Sequence, residues 1–116
     1  MRRAAKYKRI SRDREGRQLG IQRQDEDLDL LAKRRGLTIV ADYFDNDLSA
    51  SAYAKRPRTD YQRLLADARE GKFEVIIAYT TGRLTRTPRE FEDLIDLAVD
   101  YGIEFEFVRS PSFDLR

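Results

Sequence analysis

Serine and arginine side chains that could bind and attack a phosphate stand near the start of the chain. Arg9 and Ser11 are two residues apart in Tyr7-Lys8-Arg9-Ile10-Ser11, and in a strand, whose side chains alternate, both would point the same way. Three more arginines follow in later polar segments, Arg58, Arg83 and Arg86. Guanidinium groups stabilise charge on phosphate oxygens, and nearby cations ease alkoxide formation. The pattern favours phosphoryl transfer, although a lone serine after a strand is more often a cap or turn residue.

The absent residue types narrow the chemistry further. The sequence contains neither histidine nor cysteine. This excludes a Ser-His-Asp triad, a thiolate nucleophile, a disulfide and a Cys/His zinc site. Any catalysis must therefore use serine, threonine, tyrosine, carboxylate, lysine or arginine side chains.

Charge is unevenly distributed along the 116 residues, although 23 Lys and Arg nearly balance 21 Asp and Glu. Residues 1–24 carry nine basic and two acidic side chains, whereas residues 90–106 carry seven acidic and no basic ones. This asymmetry predicts a basic face for a polyanion, with nucleic acid the first choice; the alternative is two solvated faces. No apolar run approaches the length of a membrane helix, and we expect a cytoplasmic protein that does not bind membranes.

Apolar spacing and turn residues predict the elements that would position these side chains. The predicted strands are residues 4–10, 37–44, 73–79 and 103–108. The predicted helices begin at 21, 59 and 88 and end near 36, 71 and 102. The clearest start is Thr87-Pro88, where Thr87 can cap and Glu90 completes a capping box.

The alternating order of strands and helices predicts one α/β domain over residues 1–116. Its expected form is three-layered, with a mostly parallel central sheet of four or more strands and helices on both faces. In such folds functional residues gather at the carboxyl ends of the strands. That rule points to residues 9–24, 45–58 and 80–89.

Five segments in this order resemble the serine site-specific recombinases, which include resolvases, invertases and large serine integrases. The resemblance covers nearly the whole chain, as that family's N-terminal catalytic domain, and implies a resolvase-like fold. The segments are Tyr7-Lys8-Arg9-Ile10-Ser11, Gly20-Ile21-Gln22-Arg23-Gln24, Asp45-Asn46-Asp47-Leu48-Ser49-Ala50, Arg58-Thr59-Asp60-Tyr61-Gln62-Arg63-Leu64-Leu65 and Arg83-Leu84-Thr85-Arg86.

The resemblance implies that Ser11 attacks a DNA backbone phosphate, forming a 5′-phosphoserine link and releasing a 3′-hydroxyl. The active-site arginines that bind and stabilise this phosphate would be Arg9, Arg58, Arg83 and Arg86. The supporting polar residues would be Asp45, Ser49 and Gln24, with Gln22 an alternative to Gln24 because the register there is open. Bond energy is kept in the phosphoserine link, so neither a cofactor nor a metal is implied.

The resemblance also implies double-stranded DNA attachment sites as partners. It further implies a homodimer and a synaptic homotetramer for the full-length protein. We expect the chain to stop before the family's long helix and C-terminal DNA-binding domains, and the fragment alone to be inactive in full recombination. The long stretch between Ser11 and Gln24 resembles the large integrase branch.

The sequence departs from the family's pattern at one position, and this leaves alternative functions open. The family commonly has an aspartate where this chain has Gly82, so Asp45 or water would have to take over a role in proton transfer. A degenerate module that binds DNA or a partner without cutting is therefore the first alternative. A receiver-like signalling domain is the second, but it would need paired acids after the first strand, where Arg9 and Ser11 stand instead.

Overall fold

Four strands alternate with three helices along the chain, in the predicted order. The computed structural model describes residues 2–10, 17–46, 59–80, 84–85 and 87–109. The strands are β1 (Arg2–Ile10), β2 (Leu37–Asn46), β3 (Val75–Ala78) and β4 (Glu104–Phe107). The helices are α1 (Arg17–Arg35), α2 (Thr59–Arg69) and α3 (Pro88–Tyr101).

The strands form one parallel sheet in the order β2-β1-β3-β4. Because all four run in the same direction, their carboxyl ends meet at one edge, as the predicted fold class requires. In the register of β1 with β2, Tyr7 lies opposite Tyr43 and Arg9 lies opposite Asp45. The first strand is thus central, and its end is flanked on one side by the end of β2.

Helices cover both faces of the sheet because side chains alternate along each strand. On one face Tyr7 and Ile76 pack with residues of α2 and α3, among them Leu64 and Leu94. On the other face Ala4, Val75 and Ile77 pack with α1 through Leu28, Leu31 and Ala32. The prediction of a three-layer α/β domain is confirmed.

The ends of the helices follow the predicted stop and start residues. Gly36 and Gly102 adopt left-handed backbone angles, with φ of +68° and +69°, directly after α1 and α3. At the start of α3, Thr87 Oγ1 accepts a hydrogen bond from the backbone nitrogen of Glu90 at 3.1 Å, and Pro88 occupies the first turn. The cap predicted for α3 is confirmed.

Two predicted boundaries were wrong. Helix α1 begins at Arg17 rather than Ile21, because its first turn contains too few apolar residues to show helical periodicity. Strand β2 continues through Asp45 and Asn46, which looked like a polar turn; both pair with the end of β1. A polar residue can therefore extend a strand when the neighbouring strand supplies its backbone partners.

The basic N-terminal segment does not form a free cationic face along β1. Its lysines and arginines pair with acidic side chains from distant parts of the chain. The pairs are Arg2 with Glu104, Arg3 with Glu74, Lys6 with Asp25 and Asp29, and Lys8 with Asp25 and Asp42. The predicted basic face is wrong for these four residues, because the sheet brings together charges that are separated in sequence.

Among the described residues, no helix is both long and apolar enough to cross a membrane.

Candidate active site

Three of the eight predicted site residues lie in the described part of the chain: Arg9, Asp45 and Gln24. The other five, Ser11, Arg58, Arg83, Arg86 and Ser49, lie outside the described residues. Arg9 and Asp45 face each other across β1 and β2 at the carboxyl edge of the sheet. Both are buried, at 9% and 7% exposure. The structure therefore brings a guanidinium-bearing residue, two positions before Ser11 in sequence, next to a carboxylate-bearing residue of the neighbouring strand.

The carboxylate of Asp45 caps the start of α2. Its Oδ2 accepts hydrogen bonds from the hydroxyl of Tyr7 at 2.7 Å and from the backbone nitrogen of Tyr61 at 2.9 Å. Its Oδ1 accepts one from the backbone nitrogen of Asp60 at 3.1 Å. These amides have no partner within the helix, and a negative charge there is favoured by the helix dipole. Asp45 thus fixes the end of the helix that begins directly after Arg58.

A second contact joins α2 to β2 in the opposite direction. Asp60 Oδ2 accepts a hydrogen bond from the backbone nitrogen of Phe44 at 2.9 Å. The strand therefore caps the helix through Asp45, and the helix satisfies a donor of the edge strand through Asp60. This reciprocal pair holds the first turn of α2 at the carboxyl edge of the sheet.

Gln24 lies on α1 with its amide buried against the end of β1. The side chain is 6% exposed, and its Nε2 donates to the carbonyl of Arg9 at 3.4 Å. Its Oε1 is buried and has no hydrogen-bond partner among the described residues, which is costly for an amide oxygen. Gln22, the alternative in sequence, is exposed. The structure thus places Gln24, and not Gln22, beside the end of β1.

An ion cluster on the same face of the sheet anchors α1 next to Gln24. Lys6 and Lys8 both donate to Asp25 Oδ1, at 2.7 and 2.8 Å. Burial disfavours the charged forms, but the hydrogen bonds outweigh it: the pKa of Asp25 lies below its ordinary value and that of Lys6 above. The cluster holds the first half of α1 against β1.

Two described residues between β3 and α3, Leu84 and Thr87, are fixed by contacts with the rest of the structure. Leu84, which stands between Arg83 and Arg86 in sequence, is fully buried in the core under α2 and α3. Thr87, which follows Arg86, caps α3. The buried side chain of Leu84 and the cap formed by Thr87 therefore fix these two described residues against the core and α3.

Two tyrosines near the site were missed as polar residues by the sequence analysis. Tyr7 lies in the Tyr7-Lys8-Arg9-Ile10-Ser11 segment and Tyr61 lies in the segment of residues 58–65, and neither has an assigned role there. Both are fully buried, and their rings pack edge to face with centroids 6.1 Å apart. The signal for Tyr7 was available, because it shares a face of β1 with Arg9. No sequence signal indicated the contacts of the Tyr61 hydroxyl.

The described residues contain no cluster of three or more acidic side chains that could hold a metal ion.

The fold is similar to those of solved catalytic domains of serine recombinases. The N-terminal catalytic domain of TP901-1 integrase is similar with a TM-score of 0.71 and 27% identity, over 91% of this chain and 76% of that one. The C-terminal catalytic domain of ISC1926 TnpA, an IS607-like serine recombinase, is similar with a TM-score of 0.72 and 23% identity. The match covers 94% of this chain and 71% of that one. A resolvase family site-specific recombinase from Streptococcus pneumoniae is similar with a TM-score of 0.75 and 19% identity. The match covers 93% of this chain and 72% of that one.

The family model for the resolvase N-terminal domain matches residues 4–116. The chain belongs to this family, whose members are serine recombinases, and the predicted family and fold are confirmed. A receiver-like signalling domain is accordingly excluded. No curated protein matches the chain in sequence.

Proposed function

We propose that Ser11 is the nucleophile of a site-specific DNA recombinase. Its Oγ attacks the phosphorus of a backbone phosphodiester, a serine–phosphate bond forms, and the bond from phosphorus to the 3′-oxygen breaks. The Oγ proton passes to water, and the leaving 3′-oxygen takes up a proton to become a hydroxyl. The reverse reaction reseals the strand from the 5′-phosphoserine link. The observation that carries this proposal is that buried Arg9 and Asp45 lie opposite each other in the register of β1 and β2 at the carboxyl edge, and that Ser11 follows Arg9 by two residues.

The arginines Arg58, Arg83 and Arg86 join Arg9 in holding the scissile phosphate. Support comes from their neighbours: Asp45 fixes the first amides of α2 after Arg58, and Leu84 and Thr87 fix the chain on either side of Arg86. Bidentate guanidinium groups suit a phosphate whose charge grows in the transition state. Ser49 completes the polar surroundings from the loop between β2 and α2.

Asp45 and Gln24 have positioning roles in this mechanism. Asp45 already accepts three hydrogen bonds, so we assign it the cap of α2 and assign water the proton of Ser11. Gln24 offers a buried, unpaired Oε1 beside the end of β1, which suits it to accept a donor from the segment that contains Ser11.

We further propose that this chain is the catalytic domain of a longer cytoplasmic recombinase of the large integrase branch. Support comes from the similarity to the TP901-1 integrase domain, of which the chain covers 76%. The partners would be double-stranded DNA attachment sites, bound by a homodimer and joined in a synaptic homotetramer. The catalytic domain alone would not complete recombination, because DNA-binding domains supply most sequence recognition.

The second candidate is a module that binds DNA without cutting it, and Gly82 favours it. Glycine stands where the family commonly has an aspartate. If that carboxylate is indispensable for orienting an arginine, the domain would recognise DNA and leave it intact.

An adduct assay distinguishes the two candidates. The full-length protein is incubated with a site-bearing DNA duplex nicked near the cleavage position, so that the short strand diffuses away and religation stops. A cleaving enzyme gives a covalent protein–DNA adduct that Ser11→Ala abolishes and that a metal chelator leaves unchanged. A binding module shifts the DNA in a native gel but gives no adduct. An adduct that requires magnesium would contradict the proposed mechanism.

A further inference from the structure

Tyr61 connects the three segments that carry the proposed catalytic residues. Its backbone nitrogen donates to Asp45 at the end of β2, and its ring packs against Tyr7 of β1. Its hydroxyl donates to the carbonyl of Glu90, in the first turn of α3, at 3.2 Å. The hydroxyl also lies 3.5 Å from Asp93 Oδ2 on the same helix, and both hydroxyl contacts are part-buried, although the residue as a whole is fully buried.

The two helix ends joined by Tyr61 are the ones that follow the distal arginines. Helix α2 begins at Thr59, directly after Arg58, and α3 begins at Pro88, two residues after Arg86. The hydroxyl of Tyr61, in the first turn of α2, makes a side-chain hydrogen bond to the first turn of α3. This contact therefore joins the first turns of the two helices that follow Arg58 and Arg86 in sequence.

We infer that Tyr61 is a positioning residue for DNA cleavage, acting through the relative placement of α2 and α3. The inference rests on the proposed function. Tyr61 does not touch the reacting atoms in this mechanism; its hydroxyl sets the geometry in which the arginines meet the phosphate. Small misplacements of groups that stabilise a transition state are expensive, even when substrate binding is preserved.

The chain provides a matched control in Tyr43. This tyrosine is also buried, at 2% exposure, and its hydroxyl also donates to a residue of α2, the carboxylate of Asp67. That contact lies near the opposite end of α2, and Lys72 also pairs with Asp67. Replacing either tyrosine with phenylalanine keeps the ring and removes one buried hydroxyl, but only Tyr61→Phe affects the contact between α2 and α3.

The test compares Tyr61→Phe and Tyr43→Phe in the full-length protein. Three quantities are measured for each variant: the denaturation midpoint, the affinity for a site-bearing DNA duplex, and the single-turnover rate of adduct formation on the nicked duplex. We expect Tyr61→Phe to slow adduct formation by about tenfold or more, with DNA affinity within about twofold of the parent. Tyr43→Phe should leave both the rate and the affinity within about twofold.

The outcomes separate this inference from the proposed function. If the parent protein binds the duplex but forms no adduct, the proposed cleavage activity is wrong. If the parent forms the adduct and the two variants slow it equally, or Tyr61→Phe loses rate only in proportion to DNA affinity, the positioning role is wrong. Since phenylalanine fills the same volume, we expect both variants to fold, and the denaturation midpoints check this directly.

Discussion

The carboxylate of Asp45 lies 2.9 Å from the backbone nitrogen of Tyr61 and accepts its hydrogen bond. One residue at the end of β2 therefore fixes the first turn of α2. The same carboxylate accepts the hydroxyl of Tyr7, two residues before Arg9 on the neighbouring strand. The carboxyl edge of the sheet and the helix that follows Arg58 thus share one buried acceptor. A substitution at this acceptor should disturb both.

Asp45→Asn should destabilise the domain by about 1–3 kcal/mol, because the amide keeps one acceptor oxygen but turns an NH2 group toward at least one of the existing donors, and because it removes the charge that caps α2. Urea denaturation measures this change. Asp42→Asn is the control: it makes the same chemical change on the same strand, but at a half-exposed pair with Lys8. We expect a loss below about 1 kcal/mol there. Equal losses in the two variants would contradict the capping role of Asp45.

Gln24→Ala should slow adduct formation by about tenfold or more, because it removes the amide that bonds to the Arg9 carbonyl and the acceptor beside it. The rate is measured on the nicked duplex. Gln22→Ala, on the exposed side of the same helix, should leave the rate unchanged. A slower rate for Gln22→Ala, with an unchanged rate for Gln24→Ala, would assign the functional glutamine to Gln22. It would contradict the placement of Gln24 in the structure.

Stability should fall with acidification partly through Asp25. Its folded-state pKa lies below the ordinary value, against the effect of burial, because Lys6 and Lys8 bond to it. The unfolded chain therefore binds this proton more readily. The stabilisation is present above the unfolded pKa and is lost as the pH falls through the folded pKa, between about pH 5 and pH 2. Urea midpoints across this range should decline less steeply for Asp25→Asn than for the parent.

The control for the acid prediction is Glu26→Gln, which removes an exposed carboxylate from the adjacent position. It should keep the steepness of the parent. If the two variants respond to pH in the same way, the ion pairs of Asp25 do not contribute to acid stability.

Local signals predicted the elements better than they predicted the site contacts. Thr87, Pro88 and Gly102 act within one helix, so their sequence spacing was enough to place the ends of α3. The length of β2 was missed, because Asp45 belongs to the strand only through its pairing with β1. The basic face was wrongly predicted for the four paired residues of β1 for the same reason. Arg2 and Glu104, for example, are far apart in sequence, and the sheet brings them together. Contacts that depend on register need the three-dimensional fold.

The site residues also divide into those that local sequence signals place and those whose contacts need the three-dimensional fold. Arg9 could be placed at the carboxyl edge from strand alternation, and the structure agrees. The choice between Gln24 and Gln22 needed the orientation of α1 against β1, which apolar spacing alone did not give. The contacts of Tyr61 were not predicted, because its backbone nitrogen finds its partner on β2 and its hydroxyl finds its partner on α3.

The central claim is that the serine at position 11 becomes covalently joined to DNA. The most direct measurement isolates the adduct from the nicked duplex, digests both components, and locates the nucleotide-bearing peptide by mass spectrometry. We expect a 5′-phosphate esterified to Ser11, and no adduct from Ser11→Ala in a protein that still binds the duplex. A nucleotide attached to a different residue, or an adduct that survives Ser11→Ala, would contradict it.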